Sequence, residues 1–177
     1  ITLVAGIPSW LLILAEAVVD LMQRVHKVFR YAPVTTDIST PILEVFEKRQ
    51  GVCQDFAHLM LGCLRASGIA ARYVSGYLLT HPPAGQARLV GADASHAWLS
   101  VWCPGLDDER AGAWLDLDPT NDCLAGLDHV RVAHGRDFGD VTPLRGVIRG
   151  GGEHTLSVRV TTLPVKDETE PSAMNDS

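Results

Sequence analysis

Acyl-transfer chemistry needs a thiol or hydroxyl to attack, an imidazole to carry the proton and a carboxylate to steer the imidazole. Each occurs here in a local setting that suits its task. The thiol is Cys53, in Gly51-Val52-Cys53-Gln54-Asp55-Phe56-Ala57-His58, and the imidazole is His96, in Ser95-His96-Ala97-Trp98. The carboxylates are Asp116 and Asp118, in Trp114-Leu115-Asp116-Leu117-Asp118-Pro119-Thr120. A thiolate attacks a carbonyl carbon, and the imidazole takes the thiol proton and later delivers it to the leaving group. The carboxylate accepts a hydrogen bond from the second ring nitrogen and stabilises the imidazolium.

The elements that must position these groups can be read from apolar patterning. From Val52 to Leu64 the chain carries Phe56, Ala57, Leu59, Met60, Leu61, Cys63 and Leu64, apolar on almost every face, and Gly68 stops the run. This predicts a central, largely buried helix with Cys53 in its first turn. The unpaired amides of a first turn carry partial positive charge, which favours thiolate, and a nearby imidazolium adds to the effect. The bland alternative is that Cys53 is one more small buried residue. Ala94 to Trp102 alternates as a strand does, so His96, Trp98, Ser100 and Trp102 share a face with His96 at the strand start. The other histidines, His26, His58, His81, His129, His134 and His154, occur in no comparable setting and read as surface or satisfied core residues.

Asp116 and Asp118 alternate with Leu115 and Leu117 on a third strand, Ala113 to Asp118, and so face the same way. Only one is needed as orienter. Asp118 is preferred, because Pro119 holds it extended at the strand end, where the chain opens toward a site; Asp116 is the fallback. For the oxyanion formed during attack, one expected donor is the backbone amide of Cys53 at the helix start. Tyr31 is the candidate second donor, by its phenol and its position ahead of the nucleophile, and a core tyrosine is its alternative reading.

A first helix is expected from Ser9, a plausible N-cap, to Arg30, with Leu14, Val18, Leu21, Met22, Val25 and Phe29 at helical spacing. Pro41 opens a second helix through Arg49. Ala70 to Thr80 reads as the first strand, and His81 to Gly91, rich in Pro and Gly, as an exposed loop beside the cleft or a plain connection. Periodicity is lost from Asn121 to Gly146. Thr155 to Val165 alternates again and is expected to complete an antiparallel sheet, while residues 166–177 are acidic, without aromatics, and expected to be disordered.

The 177 residues are 46% hydrophobic, enough to bury one enzyme-sized core, placed at 1–165. A net charge of −6 with no basic run speaks against nucleic acid or an anionic membrane as partner. The apolar stretch Ile1 to Ala15 is broken by Pro8 and ended by Glu16 and Asp20, too short for a span of about 20 residues and without a basic leader. A cytoplasmic protein is expected. Cys53, Cys63, Cys103 and Cys123 contain no C-x-x-C pair, so neither a disulfide framework nor a zinc site is expected, and no metal or cofactor is called for.

Taken together, the stretches around Cys53, His96 and Asp118, with Gly68-Ile69-Ala70-Ala71-Arg72-Tyr73-Val74-Ser75-Gly76-Tyr77, Gly135-Arg136-Asp137-Phe138-Gly139-Asp140-Val141 and Gly150-Gly151-Gly152-Glu153-His154-Thr155-Leu156, resemble the bacterial transglutaminase-like cysteine peptidase family. The resemblance runs from about Leu21 to Pro164. It implies an α+β, papain-like transglutaminase core: a helical layer with the nucleophile at a helix N-terminus, packed on an antiparallel sheet. It also implies Cys53 as nucleophile, His96 as acid and base, and Asp118 as orienter. Members of that family commonly carry an N-terminal β-rich domain; none is expected within these residues, which would make such a domain a partner alongside a peptide or protein substrate. The expected activity is a cysteine-dependent peptidase or amidase. Its alternatives are acyl transfer to an amine, as in a transglutaminase, and a non-enzymatic interaction domain on the same fold.

Overall fold

The computed structural model describes residues 9–33, 35–36, 40–81, 95–106, 112–142, 146, 150 and 159–165, the backbone alone over 9–12. Helix α1 spans Ser9–Val28, α2 Ile42–Lys48 and α3 Cys53–Ala66. Strands β1 (Arg30–Tyr31) and β2 (Gln50–Gly51) form a short parallel pair. A five-stranded antiparallel sheet runs in the order β6 (Cys123–Leu124), β5 (Gly112–Asp118), β4 (Ser95–Pro104), β3 (Ala71–Leu78), β7 (His129–Gly135). A 3-10 turn, Phe138–Asp140, follows β7.

The core forms where the apolar stripes of α1 and α3 meet one face of the sheet. Val18 and Met22 from α1 and Ala57, Met60, Leu61 and Leu64 from α3 pack with Tyr73, Leu99, Val101 and Leu117. Leu99 and Leu117 are fully buried, and burying such a side chain stabilises the fold by roughly 1.5–3 kcal/mol. Leu99→Ala would therefore cost about 2–5 kcal/mol once the cavity is counted. A second cluster, Val25, Phe29, Val45, Phe56 and Leu59, ties α2 and α1 to the start of α3. No described helix is long and apolar enough to cross a membrane.

Helix α3 begins at Cys53 because the chain ahead of it is extended, with Val52 at φ −116° and ψ −179°. It stops two residues before Gly68, whose φ of +74° is a left-handed conformation that glycine adopts at little cost. β4 lies at the centre of the sheet and is buried on both faces from His96 to Val101. Ala97, Leu99, Val101 and Cys103 join the helix-side core, while His96, Trp98 and Ser100 point to the other face.

Two expectations are corrected here. The span Asn121 to Gly146, read as aperiodic, contains β6, β7 and the 3-10 turn, and β7 takes the edge position beside β3. Its signal was weak because an edge strand buries little: Val130 and Val132 are exposed. Thr155 to Val165, expected to complete the sheet, shows among its described residues (159–165) only an isolated bridge at Val160. Nearly all of the His81 to Gly91 loop and the whole 166–177 tail lie outside the described residues.

Candidate active site

Cys53 is the first residue of α3, where backbone amides have no partner within the helix. The turn ahead of it is held by Asp55, whose buried carboxylate accepts from the Val52 N–H at 2.8 Å and from the Thr36 hydroxyl at 2.6 Å. Asp55 thus caps the helix that carries the thiol and ties it to the segment following Tyr31. Gly51 is required by that closeness: a Cβ there would sit 2.7 Å from an Asp55 carboxylate oxygen.

Tyr31 reaches the same place through the β1–β2 pair, in which Tyr31 lies opposite Gly51 and the Ala32 N–H donates to the Gly51 carbonyl at 2.9 Å. Tyr31 is not a core tyrosine. It is 52% exposed and lines the pocket with Cys53. Partial burial and the negative charge of Cys53 push its phenol pKa up, keeping it protonated and a donor.

His96 stands near the start of β4 and Asp118 at the end of β5, one strand over. Their side chains meet, with His96 Nε2 2.7 Å from Asp118 Oδ2. His96 and Cys53 line the same pocket, close enough for the thiol to help raise the pKa of the imidazole. Burial works against the imidazolium, but the hydrogen bond to Asp118, the polar interaction with Cys53 and the negative charge of both outweigh it and raise the His96 pKa to about 9. Asp118 is fully buried. Burial alone would raise its pKa, yet hydrogen bonds from His129, His96 and Asn121 and the charge of His96 hold it well below the usual carboxylate range. Its Oδ1 accepts two further backbone bonds, from Thr120 N–H at 2.9 Å and Asn121 N–H at 3.2 Å.

The expectation that Asp116 shares a face with Asp118 holds, but Asp116 does not reach the imidazole. It accepts from the Ser100 hydroxyl and from Arg131 at 2.6 Å. Cys53, His96, Tyr31, Thr120 and Asn121 line one open pocket of about 320 Å³, with Leu78, Thr80 and Ser95.

His129 is the residue that sequence reasoning missed. It was grouped with the surface and core histidines, yet its side chain is 6% exposed and its Nε2 lies 3.1 Å from Asp118 Oδ2. Its only local signal was Asp-His at the start of an unrecognised strand. His58, by contrast, is a satisfied histidine as expected: it accepts the Phe138 N–H at 3.2 Å, and burial lowers its pKa. Ligand atoms of His96, Asp118 and His129 lie within 4.8 Å of one another, a spacing that could hold a metal ion. All four cysteines are free.

Comparison with known proteins gives a consistent picture. Residues 2–119 match the family model of the transglutaminase-like superfamily. An uncharacterized protein of Mycobacterium tuberculosis is 48% identical over 158 residues, 88% of this chain and 49% of that protein, so the chain spans about half the length of the curated relatives it matches. A protein-glutamine gamma-glutamyltransferase of Pseudomonas aeruginosa is 37% identical over 107 residues, 58% of this chain and 15% of its own. Among solved structures, a candidate cysteine protease from Cytophaga hutchinsonii superposes with a TM-score of 0.56 at 28% identity, covering 72% of this chain and 38% of its own.

Proposed function

The chain belongs to the transglutaminase-like superfamily, and from that premise we propose that it is a cysteine-dependent peptidase or amidase working through a thioester acyl-enzyme. One observation carries the reading: a single imidazole, His96, bonds to a buried carboxylate and shares the wall of an open pocket with a thiol at a helix N-terminus.

The steps follow from these groups. With its proton held by His96, the Cys53 sulfur attacks the substrate carbonyl carbon. The new C–S bond forms as the carbonyl π electrons move onto oxygen, which the Cys53 backbone amide and the Tyr31 phenol would stabilise. Collapse of this intermediate breaks the C–N bond while His96 protonates the departing amine. Water, deprotonated by His96, then attacks the thioester, and its collapse returns the sulfur and releases a carboxylic acid. Asp118 stays ionised throughout and stabilises the imidazolium.

Acyl transfer to an amine is the second reading, favoured by the Pseudomonas relative's own name. The two differ only in the second step. Incubation with a glutamine-containing peptide, with and without a fluorescent primary amine, separates them: hydrolysis gives glutamate, and transfer gives the fluorescent amide. Iodoacetamide at mildly acidic pH should label Cys53 ahead of Cys63, Cys103 and Cys123. Absence of both products, with Cys53 no faster than the other three thiols, would overturn the enzymatic reading in favour of an interaction domain.

A further inference from the structure

Asp118 Oδ2 receives three side-chain donors: His96 Nε2 at 2.7 Å, Asn121 Nδ2 at 2.7 Å and His129 Nε2 at 3.1 Å. With two backbone bonds on Oδ1, the carboxylate is surrounded by donors, more than its roughly four lone-pair sites can each serve fully. The protonation of His129 can be read from its other nitrogen. The Gly126 N–H donates to His129 Nδ1 at 3.2 Å, and a backbone amide can only donate, so Nδ1 carries a lone pair. The ring proton is therefore on Nε2, pointed at Asp118.

We infer that His129 is a positioning residue: a neutral imidazole, locked in its Nε2–H form by the Gly126 amide, that donates to Asp118 and so sets the charge and orientation that His96 meets. The inference rests on the proposed role of His96 and Asp118. It reaches beyond the residues matched to the family model, which end at Pro119, ahead of His129.

Two features of the packing show that this placement is built. The short turn before β7 is closed twice, by the His129 N–H to the Gly126 carbonyl at 3.0 Å and by the Gly126 N–H to the His129 ring. Trp98, almost fully buried, contacts both imidazoles: its ring lies stacked 6.0 Å from His96 and edge-on 5.2 Å from His129. Asn121 supports the same oxygen but is exposed, whereas His129 approaches from the protected side.

The locked tautomer also decides between a metal centre and a hydrogen-bond cluster. A histidine ligand presents a bare nitrogen to the metal and donates its other N–H to an acceptor. His129 does the reverse, holding its proton toward the cluster and its lone pair toward a backbone donor. Its donation makes Asp118 a weaker base, which keeps the proton on the His96 ring rather than letting it pass to the carboxylate.

The test uses the whole chain labelled with ¹⁵N. A long-range ¹H–¹⁵N correlation spectrum should show His129 as the Nε2–H tautomer, whether or not any substrate is turned over. His129→Phe keeps an aromatic ring and removes the donor. It should lower kcat about 10- to 100-fold on an activated peptide amide, with KM within about twofold, and move the His96 titration upward because Asp118 is left with more negative charge. His129→Gln, which can still donate to Asp118, should restore most of the rate and return the His96 titration toward wild type. The Nδ1–H tautomer, equal loss in both variants, an unmoved His96 titration, or zinc binding that His129→Gln abolishes would each overturn the inference. Failure of the acyl-enzyme reading would show separately, as an unreactive Cys53 beside an Nε2–H His129.

Discussion

Asp116 and Asp118 are the same residue type, two positions apart on one strand and on one face, yet they occupy different worlds. Asp116 lies midway along β5, where it meets Ser100 and the half-exposed Arg131. Asp118 is at the strand end, fully buried, with His96, His129 and Asn121 on one oxygen and two backbone amides on the other. One carboxylate holds strands together; the other is held by everything around it. Chemistry at a carboxylate thus depends less on its identity or face than on what its depth forces it to hydrogen-bond.

That contrast can be broken most directly by neutralising each carboxylate in turn. Asp118→Asn should lower kcat/KM by about 10²–10⁴, because an amide cannot stabilise the imidazolium and selects the wrong tautomer of His96. Circular dichroism should show the variant folded. An equal loss in Asp116→Asn would sink the distinction between the two sites.

A smaller effect should follow from disturbing the deep end without touching any acid. A Cβ on Gly76 would lie 2.1 Å from the Val130 carbonyl oxygen and 2.6 Å from the Trp98 ring. Gly76→Ala must therefore shift β7, which carries His129, or Trp98, which packs on both imidazoles. The expected result is a loss of about 1–3 kcal/mol in stability, as for an overpacked core, with a fall in turnover. Chemical denaturation and kinetics on one preparation check both; unchanged turnover would mean that the deep end tolerates movement.

The pH dependence sharpens the comparison further. The pKa of His96 is raised from its ordinary 6.5 to about 9, so the folded state holds its proton more tightly than the unfolded chain does. The stabilisation is complete below pH 6.5 and is lost as pH rises through 9, on the order of 1–3 kcal/mol. Asp118 has the opposite sign: its pKa is depressed, so its contribution is present above its ordinary 3.8 and lost in acid. Urea midpoints measured from pH 6 to 10 should therefore decline in wild type and in Asp116→Asn, and decline less steeply in Asp118→Asn. A decline as steep in Asp118→Asn as in wild type would mean that another group sets it.

The least disruptive change is Asp116→Asn itself. The amide oxygen can still accept from Ser100, and the lost ion pair with Arg131 is half exposed, so a cost of about 0.5–1.5 kcal/mol in stability and less than a threefold change in rate are expected.

How far the sequence alone reached differs between the ends of the site. Cys53 at the start of a buried helix was legible because apolar runs and glycine punctuation are local signals: Phe56 to Leu64 demand a core, and Gly68 ends the helix. His96 near the start of a strand and both acids on one face were legible because side chains alternate along any strand. These are properties of neighbouring residues. The choice between Asp116 and Asp118 was argued from Pro119, but what separates them is depth, and alternation assigns a face without assigning depth. Tyr31 owes its place to the pairing of Arg30–Tyr31 with Gln50–Gly51, in which nineteen residues separate Tyr31 from its partner Gly51, a contact that no local pattern encodes. His129 was invisible for the same reason: an edge strand with exposed valines carries little hydrophobic signal, and its partners Asp118 and Trp98 come from two other strands. The chain's own order of residues determined which groups could react and which elements would carry them. Only tertiary packing decided which carboxylate the imidazole meets and which second histidine stands behind it, because burial and hydrogen-bond partners are set by residues far apart in the chain.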